Sequence, residues 1–141
     1  LRADVLEMRA TMAENKRPKG PVDVKLMRGG LVDIEFLIHF LQLRDGAALT
    51  PHLGDAVRGL VAAGLLPADM AEAHDSLARL LVAARLLAPD GEEPPPASRA
   101  ALAKACQCGN WDELLARLGQ SRKAVAAAWK DLFGETLEIG S

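Results

Sequence analysis

The chain has 141 residues, with 17 basic and 19 acidic side chains and a formal net charge of −2. This balance lacks the excess of positive charge that is typical of nucleic-acid-binding domains. No apolar run approaches the roughly 20 residues that span a bilayer. Two cysteines are too few for a disulfide framework or a zinc site. Ala and Leu supply about a third of the residues and aromatics only 4%, which argues against an all-β fold. We therefore expect a cytoplasmic, all-α bundle of about six or seven helices forming a single domain.

The first predicted helix covers residues 1–15, in which apolar side chains recur at helical spacing. It has no N-cap, and the chain begins with Leu1 rather than Met, so we expect a fragment of a larger multidomain protein. A Pro- and Gly-containing break over residues 16–21 ends this helix. Residues 22–27 then alternate apolar and charged side chains, which predicts a short extended segment, either one strand or an ordered loop.

The helix predicted over Leu31–Arg44 carries apolar side chains on two sides of its helical wheel. Polar residues are confined to two narrow stripes between these faces, one of which contains Glu35, His39 and Gln42. A helix with two apolar faces is buried on two sides, so this helix is expected at the centre of the bundle. The apolar positions are Ile34, Leu37, Ile38 and Leu41 on one face and Val32, Phe36, Phe40 and Leu43 on the other.

The remaining helices are predicted from their caps and breaks. Thr50 and Pro51 resemble a helix start, Asn110 with Glu113 forms a capping box, and Ser121 is expected to begin a separate last helix. A Pro-rich acidic loop over residues 88–98 separates two further segments. These are predicted to run from Pro67 to Ala88 and from Ser98 to Cys106.

Two glycines at the start of the central helix are the first candidates for chemistry. Gly29 and Gly30 could cradle a phosphate, because a helix N-terminus presents free N–H groups, or they could form a tight turn. The spacing matches neither a Walker A loop nor a dinucleotide fingerprint. Asp33, in the first turn, is a structural candidate that can cap the N–H of Gly30.

Charged residues near these glycines are further candidates. Asp33 and Glu35 point about 160° apart on a helix, so they cannot share one metal ion, and we expect no metal site. Glu35 and His39 face either a partner or nucleotide, or only solvent. Lys25 could offer its charge to a phosphate, or it is an ordinary surface lysine. Cys106 and Cys108 are expected to be inert thiols. None of these residues forms a complete active site.

The stretch around Lys25 and the two glycines resembles a known family. Asp23-Val24-Lys25 followed by Gly29-Gly30-Leu31-Val32-Asp33-Ile34-Glu35-Phe36-Leu37 is similar to a segment of the bacterial glutamine synthetase adenylyltransferase (adenylyl-removing) family. The resemblance covers Leu1 to about Leu81 well and the rest loosely. It implies an enzyme with two nucleotidyltransferase halves, each followed by a helical domain of this kind. The sequence Asp33-Ile34-Glu35-Phe36 resembles the motif of the second, transferase half.

This resemblance implies a function for the whole enzyme. One half attaches AMP to a tyrosine of glutamine synthetase, using ATP and Mg²⁺, and the other removes it by phosphorolysis. The implied partners are the chain's own nucleotidyltransferase domain, glutamine synthetase and the PII signalling protein. The alternative is a regulatory module of the uridylyltransferase that modifies PII, which carries a related helical domain.

The chain departs from the family in two respects. The Gly-Ser turn and Asp-x-Asp metal pair of the nucleotidyltransferase are absent, so the resemblance places the catalytic domain upstream and no catalytic residue in this chain. The family's Glu-His-Arg stretch is Val82–Leu87 here. Five residues are left as candidates that face a nucleotide or the domain interface: Lys25, Gly29, Gly30, Glu35 and His39. The other hypothesis is an interaction module with no residue near the nucleotide.

Overall fold

A computed structural model describes residues 1–90 and 92–139, so Gly91, within the predicted loop over 88–98, lies outside the described residues, as do residues 140–141. Within those ranges the chain forms six α-helices and no β-strand, which confirms the predicted all-α bundle. None of these helices is long and apolar enough to cross a membrane. In chain order they are α1 (Arg2–Asn15), α2 (Leu31–Asp45), α3 (Leu53–Ala62), α4 (Asp69–Leu87), α5 (Pro96–Ala105) and α6 (Trp111–Phe133).

The segment over residues 22–27, predicted as an extended strand or an ordered loop, is an ordered loop and not a strand. These residues form consecutive turns, in which the N–H of Val24 donates to Val22 O at 2.9 Å and the N–H of Met27 donates to Asp23 O at 3.1 Å. With no neighbouring strand to pair with, the segment satisfies its backbone groups locally. The alternation of apolar residues instead reflects the burial of Val22 and Val24 beneath the turns.

Helix α2 lies at the centre of the bundle, as its two apolar faces predicted. It packs against α1, α3, α4 and α6. The four residues of its first face have no exposed surface, and Val32 and Phe40 on the second face are also buried. The other two residues of the second face depart from the predicted pattern, since Phe36 is half-buried and Leu43, near the C-terminal end of the helix, is exposed.

Aromatic side chains join α2 to α6. The ring centroid of Phe133 lies 5.0 Å from that of Phe40, at an interplanar angle of 62°. It lies 4.6 Å from the ring centroid of Trp129. Such edge-on and tilted pairs stabilise beyond the area that they bury, by about 0.5–1.5 kcal/mol each. These contacts fix the C-terminal half of α6 against the central helix.

Helix α6 is one continuous helix, so the predicted break before Ser121 is wrong. The side chain of Ser121 is buried within it, and the buried positions on either side, Leu118 and Val125, continue the helical spacing. Because this apolar stripe is unbroken, packing against α4 carries the helix through Gly119. The predicted cap at its start is present, with Asn110 Oδ1 accepting from the N–H of Glu113 at 2.8 Å.

Three other helix starts differ from the predictions. Helix α3 begins at Leu53 with His52 as its N-cap, two residues after the predicted cap at Thr50. Helix α4 begins at Asp69, two residues after Pro67. Helix α5 begins at Pro96 rather than after Ser98, because the fixed φ of proline suits the first helical position and no N–H is lost there.

We predict that Gly119→Ala stabilises the protein. A Cβ at Gly119 would enter open space, and alanine loses less conformational entropy than glycine in a helix interior. The free energy of unfolding in urea should rise by about 0.5–1 kcal/mol. Gly64→Ala is the control, since its open position has a φ of +75° and alanine there should destabilise. A loss of stability in Gly119→Ala would contradict a continuous α6.

Candidate functional site

A buried ion pair holds the start of α2. The carboxylate of Asp33 accepts hydrogen bonds from Arg9 Nε on α1 and from the N–H of Gly29 at 2.7 Å. Arg9 Nη2 also donates to Leu26 O at 3.3 Å. Asp33 therefore caps the turn before α2, but through Gly29 rather than through the Gly30 N–H that the sequence suggested. One carboxylate connects α1, the turns over residues 20–30 and α2.

Gly29 and Gly30 are required by close backbone contacts. Gly29 has a φ of +77°, and a Cβ there would lie 2.9 Å from the carbonyl oxygen of Arg122 on α6. A Cβ at Gly30 would lie only 2.2 Å from the carbonyl oxygen of Val24. Side chains do not fit at either position. The two glycines are therefore explained as a tight turn, which was one of the two predicted alternatives.

The backbone N–H groups of this turn are not free to bind a phosphate. Gly29 N–H donates to Asp33, and Gly30 N–H donates to Met27 O at 3.0 Å. The next two N–H groups donate to the carbonyl oxygens of Val24 and Lys25, at 2.9 and 3.1 Å. Because four successive donors are already bonded within the chain, the geometry does not support a phosphate cradle at this helix start.

The other predicted site residues lie on different parts of the surface. Lys25 is exposed and lines a cavity of about 220 Å³ between the turns and the C-terminal end of α4. Glu35 is half-buried and His39 is exposed, one turn apart on α2, and neither lines that cavity. Further along the same stripe, Gln42 Nε2 donates to Ala48 O at 2.8 Å. This stripe therefore anchors the loop after α2 at one end and faces solvent at the other.

The acidic side chains in the described part of the chain do not fit a magnesium site. Mg²⁺ requires oxygen ligands that are free to coordinate it, whereas both oxygens of Asp33 accept hydrogen bonds. Within residues 1–90 and 92–139, no group of three or more His, Cys, Asp or Glu side chains could hold a metal ion.

The two cysteines are buried and free. Burial raises the pKa of the Cys106 thiol above its ordinary value, so the reactive thiolate is disfavoured at neutral pH. Cys108 Sγ lies 3.6 Å from Cys106 O. This environment is that of packed structural thiols, which agrees with the expectation of inert cysteines.

A basic cavity that the sequence analysis missed lies beside the ion pair. Its volume is about 550 Å³, and it lies between the C-terminal half of α1 and the following turns. Burial, and secondarily the charge of Arg9, lowers the pKa of Arg28 at its edge. The signal in the sequence is the density of cations over residues 16–28, of which residues 16–21 are predicted only as a Pro- and Gly-containing break. Five cations line this basic cavity: Arg9, Lys16, Arg17, Lys19 and Arg28.

Comparison with known proteins identifies relatives over nearly the whole chain. Residues 3–133 match the family model described as GlnD PII-uridylyltransferase. A "Bifunctional glutamine synthetase adenylyltransferase/adenylyl-removing enzyme" of Caulobacter vibrioides is 36% identical over 138 residues, which cover 91% of this chain and 14% of that protein. Proteins of the same name from Rhizobium meliloti, 33% identical, and Bordetella bronchiseptica, 34% identical, cover 81% and 82% of this chain. The matches cover 12% and 13% of those proteins.

The chain therefore spans about a seventh of the length of the relatives that it matches. The family model covers α1 to α6, including the ion pair and the two-glycine turn. The family resemblance predicted from the segment around Gly29 and Gly30 is confirmed. The chain belongs to the GlnD PII-uridylyltransferase family and is similar over most of its length to bifunctional glutamine synthetase adenylyltransferases.

Proposed function

We propose that this chain is the helical domain of a glutamine synthetase adenylyltransferase that acts in the cytoplasm. The whole enzyme would transfer AMP from ATP to a tyrosine of glutamine synthetase and remove it by phosphorolysis in its other half. The observation that carries this proposal is the length of the similarity. Adenylyltransferases match 81–91% of the chain, so the likeness includes the helices that pack around Asp33 as well as the two-glycine motif.

Within that enzyme, the domain would support the active-site cleft of its own nucleotidyltransferase domain. The catalytic carboxylates, Mg²⁺ and ATP would be held by that other domain, because the side chains described here offer no magnesium site. The rigid two-glycine turn would position Lys25 toward the cleft, and the Glu35–His39 stripe would face the cleft or a docked protein. By itself the 141-residue chain should transfer no AMP, and measurable transfer would overturn this assignment.

The test uses the whole enzyme with Lys25→Ala and Glu35→Ala. If these side chains act at the cleft, each substitution should lower kcat/KM for AMP transfer to glutamine synthetase by about tenfold, as expected for loss of a charge-assisted hydrogen bond. Lys104→Ala and Glu7→Ala are matched controls at exposed positions on α5 and α1 and should change nothing. Unchanged kinetics in both test variants would show that these residues do not contribute to the cleft.

The second candidate function is a regulatory module of a PII-uridylyltransferase-type enzyme. The family model points in this direction, and α4 exposes apolar surface suited to a protein partner, with Val82 62% and Leu86 81% exposed one turn apart. Assaying the whole protein with ATP and glutamine synthetase, and separately with UTP and PII, distinguishes the two. UMP transfer to PII without AMP transfer to glutamine synthetase would favour this second function.

A further inference from the structure

We propose that the basic cavity binds phosphate groups, either inorganic phosphate or the polyphosphate chain of a nucleotide. This site lies apart from the Lys25 cavity, shares only Lys19 and Leu26 with it, and does not depend on the proposed function. The proposal stands on an unsatisfied buried donor, an excess of positive charge and the chemical character of the lining.

The unsatisfied donor belongs to Arg9. This residue is 1% exposed and lines the basic cavity. Its Nε and Nη2 are bonded to Asp33 and Leu26, but Nη1 is buried with no hydrogen-bond partner. A buried donor on a charged group is strongly disfavoured without an acceptor, so Nη1 is available to an anion that enters the cavity.

Positive charge around the cavity exceeds the negative charge available to balance it. No acidic side chain lines the cavity, and among the described residues Arg9 is the only one of its five cations in an ion pair. Lys16 and Arg17 follow the C-terminal end of α1, where the helix dipole favours cations even without a ligand. Burial and the neighbouring Arg9 oppose the charge of Arg28 and lower its pKa, and the carboxylates of Asp33 and Glu135 offset this only in part. A bound anion would therefore stabilise this charge.

The lining favours a phosphate over a nucleobase. No aromatic side chain borders the cavity, so it offers no stacking surface for a nucleobase. Arginine binds phosphate oxygens through a planar fork of donors. Arg28 can supply such a fork, whereas Arg9 can add only Nη1, because its Nε and Nη2 are already bonded. The volume of about 550 Å³ is also larger than one phosphate needs, which leaves room for a polyphosphate chain.

The experiment titrates the ¹⁵N-labelled 141-residue chain with inorganic phosphate, tripolyphosphate, ATP and adenosine, following backbone amide shifts. Arg28→Gln removes a lining cation outside the Asp33 ion pair. Arg9→Lys keeps the buried charge but removes the unpartnered donor Nη1. Arg58→Gln is the charge-matched control, because this arginine is exposed on α3 and pairs with Asp55. An acidic octapeptide serves as the competing ligand class.

The expected result is saturable shifts at residues 9, 16–19 and 28 with tripolyphosphate and ATP at similar affinity, and none with adenosine. Both test variants should weaken this binding by about tenfold, whereas Arg58→Gln should not. Tighter binding of inorganic phosphate than of tripolyphosphate would assign the site to free phosphate, and the reverse order would assign it to a nucleotide chain. The proposal is overturned by no saturable shift, equal weakening by Arg58→Gln, or tighter binding of the acidic octapeptide.

Discussion

Gly30→Ala should lower the free energy of unfolding by about 3 kcal/mol or more, at the upper end of what overpacking costs. The Cβ would lie 2.2 Å from Val24 O and 2.8 Å from Met27 O. Both obstacles are backbone atoms, and they belong to the turns that bond the start of α2. Relief would require moving the turns away from α2, which would break the bonds from Gly30 and Leu31. Urea unfolding of the 141-residue chain measures the loss.

The comparison with Gly46→Ala separates steric overlap from backbone strain. Gly30 has an extended backbone, with a φ of −96°, so alanine suffers there from overlap alone. Gly46 has a φ of +63°, and a Cβ added there would have nothing within 4 Å. Alanine at this position should therefore lower the free energy of unfolding only through its left-handed backbone, by about 1–2 kcal/mol. A smaller loss at Gly30 than at Gly46 would mean that the turns yield easily and do not fix the start of α2.

Asp33→Asn should destabilise the protein by about 3–5 kcal/mol, because it leaves the charge of Arg9 buried without a counter-ion. The asparagine retains one oxygen for the N–H of Gly29, but its NH2 group then faces the donor Arg9 Nε, so the loss combines the missing counter-ion with a donor–donor contact. Arg9→Met should cost a similar amount, since it leaves the fully buried carboxylate of Asp33 with one backbone donor. The double variant Arg9→Met/Asp33→Asn should recover much of the stability, because neither charge remains buried.

A double-mutant cycle in urea gives the coupling free energy of this pair. The control is the pair Arg58–Asp55 on α3, whose side chains are 57% and 56% exposed. Arg58→Met and Asp55→Asn should each change stability by less than about 1 kcal/mol. If the double variant is as unstable as the sum of the two single variants, Arg9 and Asp33 do not act as a pair.

Local patterns were enough to predict most of the helices. The apolar faces of α2 predicted its central position, because a helix that is buried on two sides carries apolar residues on both of them. The start of α6 was predicted from Asn110 and Glu113, whose side chains act within one turn. The break before Ser121 was predicted wrongly, since serine also occurs at helix starts and only the packing of α6 against α4 shows that its side chain is buried.

The candidate site was less predictable, because its contacts join residues that lie far apart in the sequence. In the sequence, Arg9 occupies an ordinary polar position of an amphipathic helix, and its partner Asp33 lies 24 residues away. Gly29 contacts Arg122, whose Nε also donates to Arg28 O across 94 residues at 2.8 Å. No pattern within one element encodes such contacts. The glycines were therefore recognisable as a motif, but not the atoms that require them.

The two ends of the helical bundle meet. Arg2, the first residue of α1, donates from its guanidinium to the carbonyl oxygen of Phe133, the last residue of α6, across 131 sequence positions. The chain does not leave the bundle at this point, because residues 134–139 continue across it, with Leu137 buried and Ile139 packed against the core. A pull on the start of α1 would therefore strain the contact between Arg2 and Phe133, while the segment after α6 stayed packed on the core.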